Sequence, residues 1–305
     1  MKRGSIFYPA YMMGRILPWK LGDKSPISAT LKLTYRCNLS CLHCPWHLVK
    51  SQEIPTEEWK QIIHQLYQAG VRHIVFEGGE PTLRPDLEEL VSFAREKGAY
   101  TTIATNGIKD LSPYHPHRFL ISIDGLKETH DQIRGKGSFE KILLNLKSAP
   151  SRRELLISIS QLNKDELEDI CRFFQGKVDG LWFSFVYDYS SKEPLSLNRE
   201  EMTACAQKLL FLKRKYPIIN FSRYLKQVGR QRPCAPWLLW TVLPDGSTIK
   251  NCMILAIDKN YDCSRCELAC HREISLLLDP FAWLEEAWAW FKSFRNKGTD
   301  KNEWT

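Results

Sequence analysis

The sequence predicts an α/β protein in which strands and helices alternate around a parallel sheet. Six strand-like runs, rich in β-branched and aromatic residues, are separated by helical or turn-rich segments between residues 28 and 186. Repeated βα units give parallel strands joined by right-handed crossovers. The composition, 43% hydrophobic and 26% charged over 305 residues, is that of a globular protein with a sizeable core. No apolar stretch reaches the roughly 20 residues that a membrane-spanning helix needs.

The strands are predicted from short apolar runs and the helices from apolar residues at helical spacing. We expect strands at residues 30–34, 71–76, 100–105, within 117–123, at 155–160 and at 181–186. We expect helices at residues 56–68, 85–97, 138–147 and 164–174. Thr56 is a candidate N-cap of the first helix, and Gly70 and Gly98 stop the first two helices. Residues 242–246 have the pattern of a strand and turn in a hairpin.

Three cysteines follow the first predicted strand within eight residues. Cys37, Cys41 and Cys44 lie in the run TYRCNLSCLHCPW with the spacing C-x3-C-x2-C. Cysteine thiolates are the usual ligands of iron–sulfur clusters, and a 4Fe–4S cluster normally takes four of them. Three thiolates on one loop leave one iron without a protein ligand, and that iron can bind a small molecule. A zinc site or three buried cysteines are the alternative interpretations.

The spacing of residues 34–45 resembles that of the radical S-adenosylmethionine (SAM) superfamily. The resemblance implies a 4Fe–4S cluster whose open iron binds the methionine end of SAM. It also implies that one electron cleaves SAM to methionine and a 5′-deoxyadenosyl radical, which removes hydrogen from a substrate. For the fold, the resemblance implies a partial (β/α)6 TIM-like barrel with a small cysteine-rich C-terminal extension.

A glycine-rich element, Gly78-Gly79-Glu80-Pro81, follows the second predicted strand. It resembles the family element that binds the amino group of SAM's methionine, although alone it would predict a plain loop. Glycines let a backbone approach a ligand closely, and Glu80 offers a carboxylate to an ammonium group. Functional residues of such barrels lie at the carboxyl ends of the strands. The resemblance therefore implies that the residues binding SAM are His43, Gly78, Gly79, Glu80, Thr105, Asn106, Ser122, Asp124 and Arg134.

Several of these residues have a second interpretation. His43 stands where the family usually carries an aromatic whose backbone contacts adenine, so we expect an adenine neighbour there and no catalytic base. Asp124 alternates with apolar neighbours and either faces the barrel interior or caps the next turn. Arg134 offers a guanidinium fork to the SAM carboxylate or forms a structural salt bridge. The sequence assigns no catalytic acid or base.

A second cysteine group lies beyond the predicted barrel. It resembles the SPASM and twitch extensions that hold auxiliary clusters, and its members are Cys234, Cys252, Cys263, Cys266 and Cys270. A complete SPASM module carries seven cysteines, so five indicate one auxiliary 4Fe–4S cluster, with the choice of four ligands open. Zinc is the alternative, because these cysteines and His271 also satisfy tetrahedral ligation. Cys171 and Cys205 have no such partners and are expected to be ordinary buried thiols.

We expect three parts: an N-terminal extension (1–25), a partial barrel (26–217) and an auxiliary iron–sulfur domain ending in a helix (218–305). The N-terminal segment is aromatic, apolar and basic, which favours packing across the barrel and leaves interfacial membrane contact as the alternative. The C-terminal run 281–294 has Trp283, Trp288 and Trp290 at helical spacing, which predicts packing against the barrel.

The formal charge of +8 is spread along the chain, so we expect no nucleic-acid partner. We find no signal peptide, and clustered thiolates suit a reducing compartment, so a cytoplasmic protein is expected, with membrane association as an option. The predicted function is a radical SAM enzyme acting on an unactivated C–H position of a small-molecule, lipid-like or peptide substrate. Its expected electron donor is a flavodoxin or ferredoxin. The alternative is a non-catalytic iron–sulfur or zinc-binding scaffold or electron carrier.

Overall fold

The structure is a computed structural model that describes residues 4–187, 195–230, 234–257, 259, 263, 266–279 and 281–282. Its strands are β1 (Ser28–Lys32), β2 (His73–Glu77), β3 (Tyr100–Thr105), β4 (Arg118–Ser122), β5 (Arg152–Ile159), β6 (Gly180–Phe185), β7 (Leu239–Val242) and β8 (Thr248–Ile249). Its α-helices are α1 (Gly4–Lys20), α2 (Thr56–Gln68), α3 (Leu87–Glu96), α4 (Lys127–Arg134), α5 (Ser138–Ser148), α6 (Leu167–Phe174), α7 (Arg199–Leu212), α8 (Ser222–Gln227), α9 (Met253–Ile257) and α10 (Ala269–Ser275).

The described strands form one open sheet in the order β6-β5-β4-β3-β2-β1-β7-β8. Strands β1 to β6 are all parallel, as the repeated βα units predict. The prediction of an α/β partial barrel is therefore confirmed. The position of the β7–β8 hairpin is not predictable from local pattern, because β7 pairs in parallel with β1, about two hundred residues earlier.

Between residues 28 and 186 the predicted elements are found, with one wrong N-cap and one added helix, and helices α7 to α10 lie beyond the predicted set. Helix α2 and strand β3 have the predicted bounds, and the other bounds shift by a few residues. The predicted N-cap is wrong: Pro55 is the N-cap of α2, and the Thr56 hydroxyl instead donates to Asp86 at 2.7 Å. Helix α4 was not expected, because its short polar sequence carries no long apolar stripe.

Alternation along the strands separates a packed outer face from a polar interior. In β4, Phe119 and Ile121 are fully buried in the hydrophobic core, whereas Arg118 and Ser122 line the interior. In β2, Ile74 belongs to the same core. Polar side chains therefore point into the barrel, where a ligand can meet them.

Helix α1 packs against the rest of the chain, as the first interpretation of the N-terminal segment expects. The Tyr11 hydroxyl donates to the Gly70 carbonyl at 3.1 Å, and Trp19 is buried beside Trp237 and Leu277. Within the described residues, we find no helix whose length and apolar character would let it cross a membrane. The predicted C-terminal helix with Trp283, Trp288 and Trp290 lies outside the described residues.

Candidate functional site

A cavity of about 560 Å³ runs through the barrel interior. At the start of the strands it is lined by Ser28 and His73, and at their ends by Gly78 and the cysteine loop. Cys37, Cys41, Cys44 and Cys270 all contribute to its wall. The first cysteine group and one member of the second, Cys270, therefore open onto a single cavity.

The cysteine loop presents its sulfur atoms to hydrogen-bond donors and to one cation. The Leu39 backbone N–H and the Asn106 side-chain amide donate to the Cys37 sulfur at 3.4 and 3.8 Å. The Arg134 guanidinium lies 4.0 Å from the Cys41 sulfur. Such donors stabilise thiolates that bind a metal cluster and tune its potential. The donor set therefore fits an iron–sulfur cluster.

Burial raises the pKa of the Cys41 thiol to about 11, and the charges of Asp124, Cys44 and Cys37 act in the same direction. Thiols of this kind must lose their protons before they bind a metal, so a metal has to supply the compensating charge. In the described part of the chain, no three cysteine, histidine or acidic side chains converge closely enough to hold a single metal ion. The ligands of a cluster bind different irons and are spread more widely than the ligands of one ion.

Gly78 and Gly79 are required by a close contact between two backbones. The Gly79 N–H donates to the Thr34 carbonyl at 2.6 Å, and a Cβ on Gly79 would lie 2.3 Å from the Arg36 carbonyl oxygen. Gly78 has a φ of +152°, and a Cβ there would lie 2.2 Å from the Thr34 oxygen. Both glycines also line the cavity. They bring the end of β2 directly against the residues that precede Cys37.

Glu80 is fully buried behind the cavity wall and accepts four hydrogen bonds from the protein. The donors are Thr82 N (3.1 Å), Thr82 Oγ1 (2.6 Å), Thr105 Oγ1 (2.7 Å) and Asn106 N (2.7 Å). Burial raises the pKa of the Glu80 carboxyl, and these four donors oppose the rise. Glu80 is not among the residues that line the cavity, and in this structure its carboxylate holds the end of β3, so its expected contact with the ammonium group of SAM stays a prediction.

Asn106 connects the end of β3 to the cysteine loop. Its side-chain amide donates to Asn38 Oδ1 at 2.7 Å as well as to the Cys37 sulfur. Thr105 and Asn106 both line the cavity, although the Thr105 hydroxyl is already engaged by Glu80. The structure thus joins Glu80, Asn106 and Cys37 into one continuous hydrogen-bonded path.

Asp124 and Arg134 form a buried ion pair beside the cysteine loop. The Arg134 Nε donates to Asp124 Oδ2 at 2.6 Å, and the His43 ring lies 3.8 Å from the same oxygen. Burial alone would raise the pKa of Asp124, but Arg134 and His43 hold that pKa below its ordinary value. Arg134, His43 and Ser122 line the cavity, whereas Asp124 does not. Arg134 therefore combines a salt bridge with a position in the wall, whereas the expected contact between Asp124 and SAM stays a prediction.

The five cysteines of the second group are close enough to influence one another electrostatically. The charges of Cys252 and Cys263 raise the pKa of Cys234, after burial as the main cause. Burial raises the pKa of Cys266 to about 11 and that of Cys270 to about 12, with nearby cysteines adding to both. His271 is buried on the cavity wall, and its Nδ1 has no hydrogen-bond partner among the described residues. These cysteines therefore lie within range of one another's charge, and their sharing of one cluster stays a prediction.

Sequence reasoning missed Glu273, which lies on α10 and lines the same cavity. Its carboxylate accepts hydrogen bonds from Trp182 Nε1 at 2.9 Å and Asn220 Nδ2 at 2.7 Å. Burial raises the pKa of Glu273 to about 8, against the effect of these donors. The available signal was its spacing of three residues from Cys270, which places the two side chains on one helix face.

Known proteins match the first cysteine loop and the barrel most clearly. Residues 31–174 match the model of the radical SAM superfamily. The chain is 37% identical over 163 residues to the Fe-coproporphyrin III synthase of Methanosarcina barkeri, covering 50% of this chain and 41% of that protein. It is 42% identical over 166 residues to the PqqA peptide cyclase of Bradyrhizobium diazoefficiens, covering 50% and 44%. The chain thus spans less than half the length of these curated relatives.

Solved structures share the fold at low sequence identity. Streptococcus suis SuiB bound to S-adenosylmethionine superposes with a TM-score of 0.65 at 14% identity, covering 87% of this chain and 68% of that one. The structure of anSMEcpe with AdoMet and a Cp18Cys peptide gives a TM-score of 0.61 at 21% identity, covering 85% and 82%. The superfamily uses a 4Fe–4S cluster and SAM. Residues 31–174 of this chain thus form a radical SAM domain.

Proposed function

We propose that the chain is a radical SAM enzyme that removes hydrogen from an unactivated C–H position of a small-molecule, lipid-like or peptide substrate. The observation that carries the proposal is the position of Cys37, Cys41 and Cys44 on one loop in the wall of the cavity inside the barrel. When bound there, the reduced cluster and SAM supply a 5′-deoxyadenosyl radical.

The three cysteines would hold three irons of the cluster and leave the fourth open for SAM. Arg134 places positive charge 4.0 Å from the Cys41 sulfur, which favours the ionised thiolate. Asp124 fixes that guanidinium from behind, so the charge is held in place before any ligand arrives. Glu80 has the same supporting role for Asn106, whose amide donates to the Cys37 sulfur.

The SAM molecule would lie along the wall that the predicted residues form. Those that line the cavity are His43, Gly78, Gly79, Thr105, Asn106, Ser122 and Arg134. Burial lowers the pKa of His43, so its neutral imidazole suits an adenine neighbour better than a cationic contact. Arg134 would offer its remaining N–H groups to the SAM carboxylate.

Four of the five cysteines in the second group would hold one auxiliary 4Fe–4S cluster. With Cys270 on the cavity wall, this cluster would lie beside the substrate space and exchange electrons with a substrate radical. We place this part of the chain in an auxiliary domain at residues 218–305, after a barrel at 26–217 and an extension at 1–25. The hairpin β7–β8 would join the two parts, because β7 extends the barrel sheet at β1.

A peptide is the first substrate class to test. One relative is named as a peptide cyclase, and another, 34% identical over 180 residues, as the sporulation killing factor maturation protein of Bacillus subtilis. A SuiB structure also contains its precursor peptide. A porphyrin-like small molecule comes second, because another relative is named as a synthase of Fe-coproporphyrin III. A flavodoxin or ferredoxin in the cytoplasm would supply the electron.

Electron paramagnetic resonance separates this proposal from a scaffold or electron carrier. In the reduced, iron–sulfur-reconstituted protein, adding SAM should change the signal of the cluster on Cys37, Cys41 and Cys44, because SAM binds its open iron. The protein with all three cysteines replaced by Ala should keep only the auxiliary signal, unchanged by SAM. A wild-type spectrum that does not respond to SAM would favour the electron carrier.

A further inference from the structure

Two acidic side chains line the cavity, and their surroundings differ. Glu77 pairs with Lys32 at 2.6 Å, so its charge is compensated within the protein. Glu273 lies in the same wall, but its carboxylate forms no ion pair with a lysine or arginine among the described residues, and the Lys213 charge acts on it without such a contact. The cavity therefore contains one carboxyl group whose direct charge partner is not provided by the described protein.

The Glu273 carboxyl is held in a fixed orientation. Its Oε2 accepts from Trp182 Nε1 at 2.9 Å, and its Oε1 accepts from Asn220 Nδ2 at 2.7 Å and from the Phe221 N–H at 3.3 Å. Asn220 is itself bound at 2.8 Å to both the N–H and the carbonyl of Phe183 in β6. An ionised carboxylate can accept about four hydrogen bonds, so roughly one position remains for a ligand.

The other charged groups of the interior are already paired with each other. Arg118 binds Glu154 at 2.8 Å, and Arg134 binds Asp124 at 2.6 Å. Burial raises the pKa of Glu273 to about 8, so a cation bound beside it would favour the ionised carboxylate, and the low effective dielectric of the interior strengthens that attraction. A positively charged group on a bound ligand would provide that missing charge.

We propose that Glu273 recognises a protonated primary amine of the substrate, either a lysine side chain of a peptide or a small free amine. This inference rests on the proposed function, in which the cavity is the substrate site. Phe221, Ile274 and Leu277 line the cavity and offer apolar surface to an aliphatic stem. A lysine side chain combines such a stem with a terminal charge, and n-butylamine reproduces that end alone.

The test uses the full-length, cluster-reconstituted protein with SAM bound. SAM carries an ammonium group of its own, so its presence ensures that an amine probe bound at Glu273 is measured in addition to SAM. Calorimetry at about pH 9, where Glu273 is ionised and the amines keep their charge, compares N-acetyl-lysine methylamide with its uncharged norleucine analogue, and n-butylamine with n-butanol. Wild type should prefer each amine over its neutral partner by about 10-fold or more, the factor expected of a charge-assisted hydrogen bond. If the charged probe is preferred only in the comparison of lysine with norleucine, the ligand is assigned as a peptide lysine. If it is preferred only in the comparison of n-butylamine with n-butanol, the ligand is assigned as a free amine.

Glu273→Gln should abolish the preference while SAM affinity stays unchanged. The matched control is Glu267→Gln: Glu267 is a buried acid of the same segment, bound to the Gly229 N–H at 2.8 Å, and does not line the cavity. That control should keep the preference. If Glu273→Gln fails to fold, Glu273→Asp, which retains a carboxyl but withdraws it by one methylene, should lose most of the preference.

Three outcomes would overturn the proposal. They are equal binding of charged and neutral probes by wild type, a preference that survives Glu273→Gln, and loss of SAM affinity in that variant with amine binding intact. The last result would assign Glu273 to SAM. Because these measurements record binding, they are independent of whether the protein cleaves SAM, so failure of the proposed function would be recognised separately.

Discussion

The Glu80 carboxylate accepts a hydrogen bond from the Asn106 backbone N–H at 2.7 Å, across the ends of two neighbouring strands. Asn106 in turn donates to Asn38 and to the Cys37 sulfur on the cysteine loop. The Glu80 carboxylate, expected from the resemblance to bind SAM, therefore accepts four hydrogen bonds from the protein itself. Glu80 would therefore affect SAM binding by holding Asn106 in position.

Glu80→Ala should lower both stability and SAM affinity. The change leaves buried donors of Thr82, Thr105 and Asn106 without an acceptor, and one unsatisfied buried group costs about 1–3 kcal/mol. Chemical denaturation of the metal-free protein would measure the loss of unfolding free energy. Glu58→Ala, at an exposed position of α2, is the control and should change neither quantity. A Glu80→Ala protein that keeps wild-type stability but loses SAM binding would restore the direct ligand role.

Gly79→Ala should reduce the amount of iron that the first cysteine loop retains. The new Cβ would meet the Arg36 and Tyr35 carbonyl oxygens at 2.3 and 2.5 Å, and these backbone atoms cannot rotate away. The cysteine loop would have to move, at a cost of at least about 1–3 kcal/mol. Iron analysis after reconstitution measures the effect. Gly14→Ala is the matched control, because nothing lies within 4 Å of its Cβ position in α1; iron content equal in both variants would argue against the close contact.

Arg134→Met should destabilise the protein strongly. It leaves the fully buried Asp124 carboxylate without its cation, and breaking a buried pair typically costs about 3–5 kcal/mol. Adding Asp124→Asn should recover much of that stability, because the uncompensated charge disappears. Iron retention should stay low in both proteins, since the positive charge near Cys41 is absent from both. If the double variant retained as much iron as wild type, Arg134 would not contribute to cluster binding.

The Asp124–Arg134 pair also predicts a pH dependence. The pKa of Asp124 is lowered in the folded protein, so its contribution to stability is present above the unfolded pKa of about 3.9. That contribution is lost as the pH falls from about 3.9 through the lower folded pKa, where Asp124 takes up a proton. The stability difference between wild type and Arg134→Met should therefore narrow below about pH 4. Denaturation midpoints of the metal-free proteins from pH 7 to 3 would show a constant difference if the pair were unimportant.

Local features of the sequence predicted the barrel and the cysteine loop well. Strand and helix periodicity depends on neighbouring residues, which is why α2 and β3 were found with their bounds. The C-x3-C-x2-C spacing likewise places three thiols on one loop without knowledge of distant contacts. The five cysteines of the second group, which are close in sequence, also influence one another's charge in the fold.

Distant contacts account for what the sequence did not predict. Glu80 binds Thr105 and Asn106, about twenty-five residues away, and no local pattern shows that its carboxylate turns toward them. Glu273 meets Trp182 and Asn220, which lie on other elements, so its place in the cavity required the tertiary structure. The pairing of β7 with β1 depends on the same kind of long-range contact.

Formation of 5′-deoxyadenosine tests most directly the claim that Cys37, Cys41 and Cys44 hold a cluster that cleaves SAM. After anaerobic reconstitution, wild type with dithionite and SAM should yield 5′-deoxyadenosine by chromatography. Combined Cys37→Ala, Cys41→Ala and Cys44→Ala changes should abolish it, whereas Cys171→Ala, at a buried thiol in α6, should not. Undiminished 5′-deoxyadenosine from the triple variant, or none from wild type, would contradict the account.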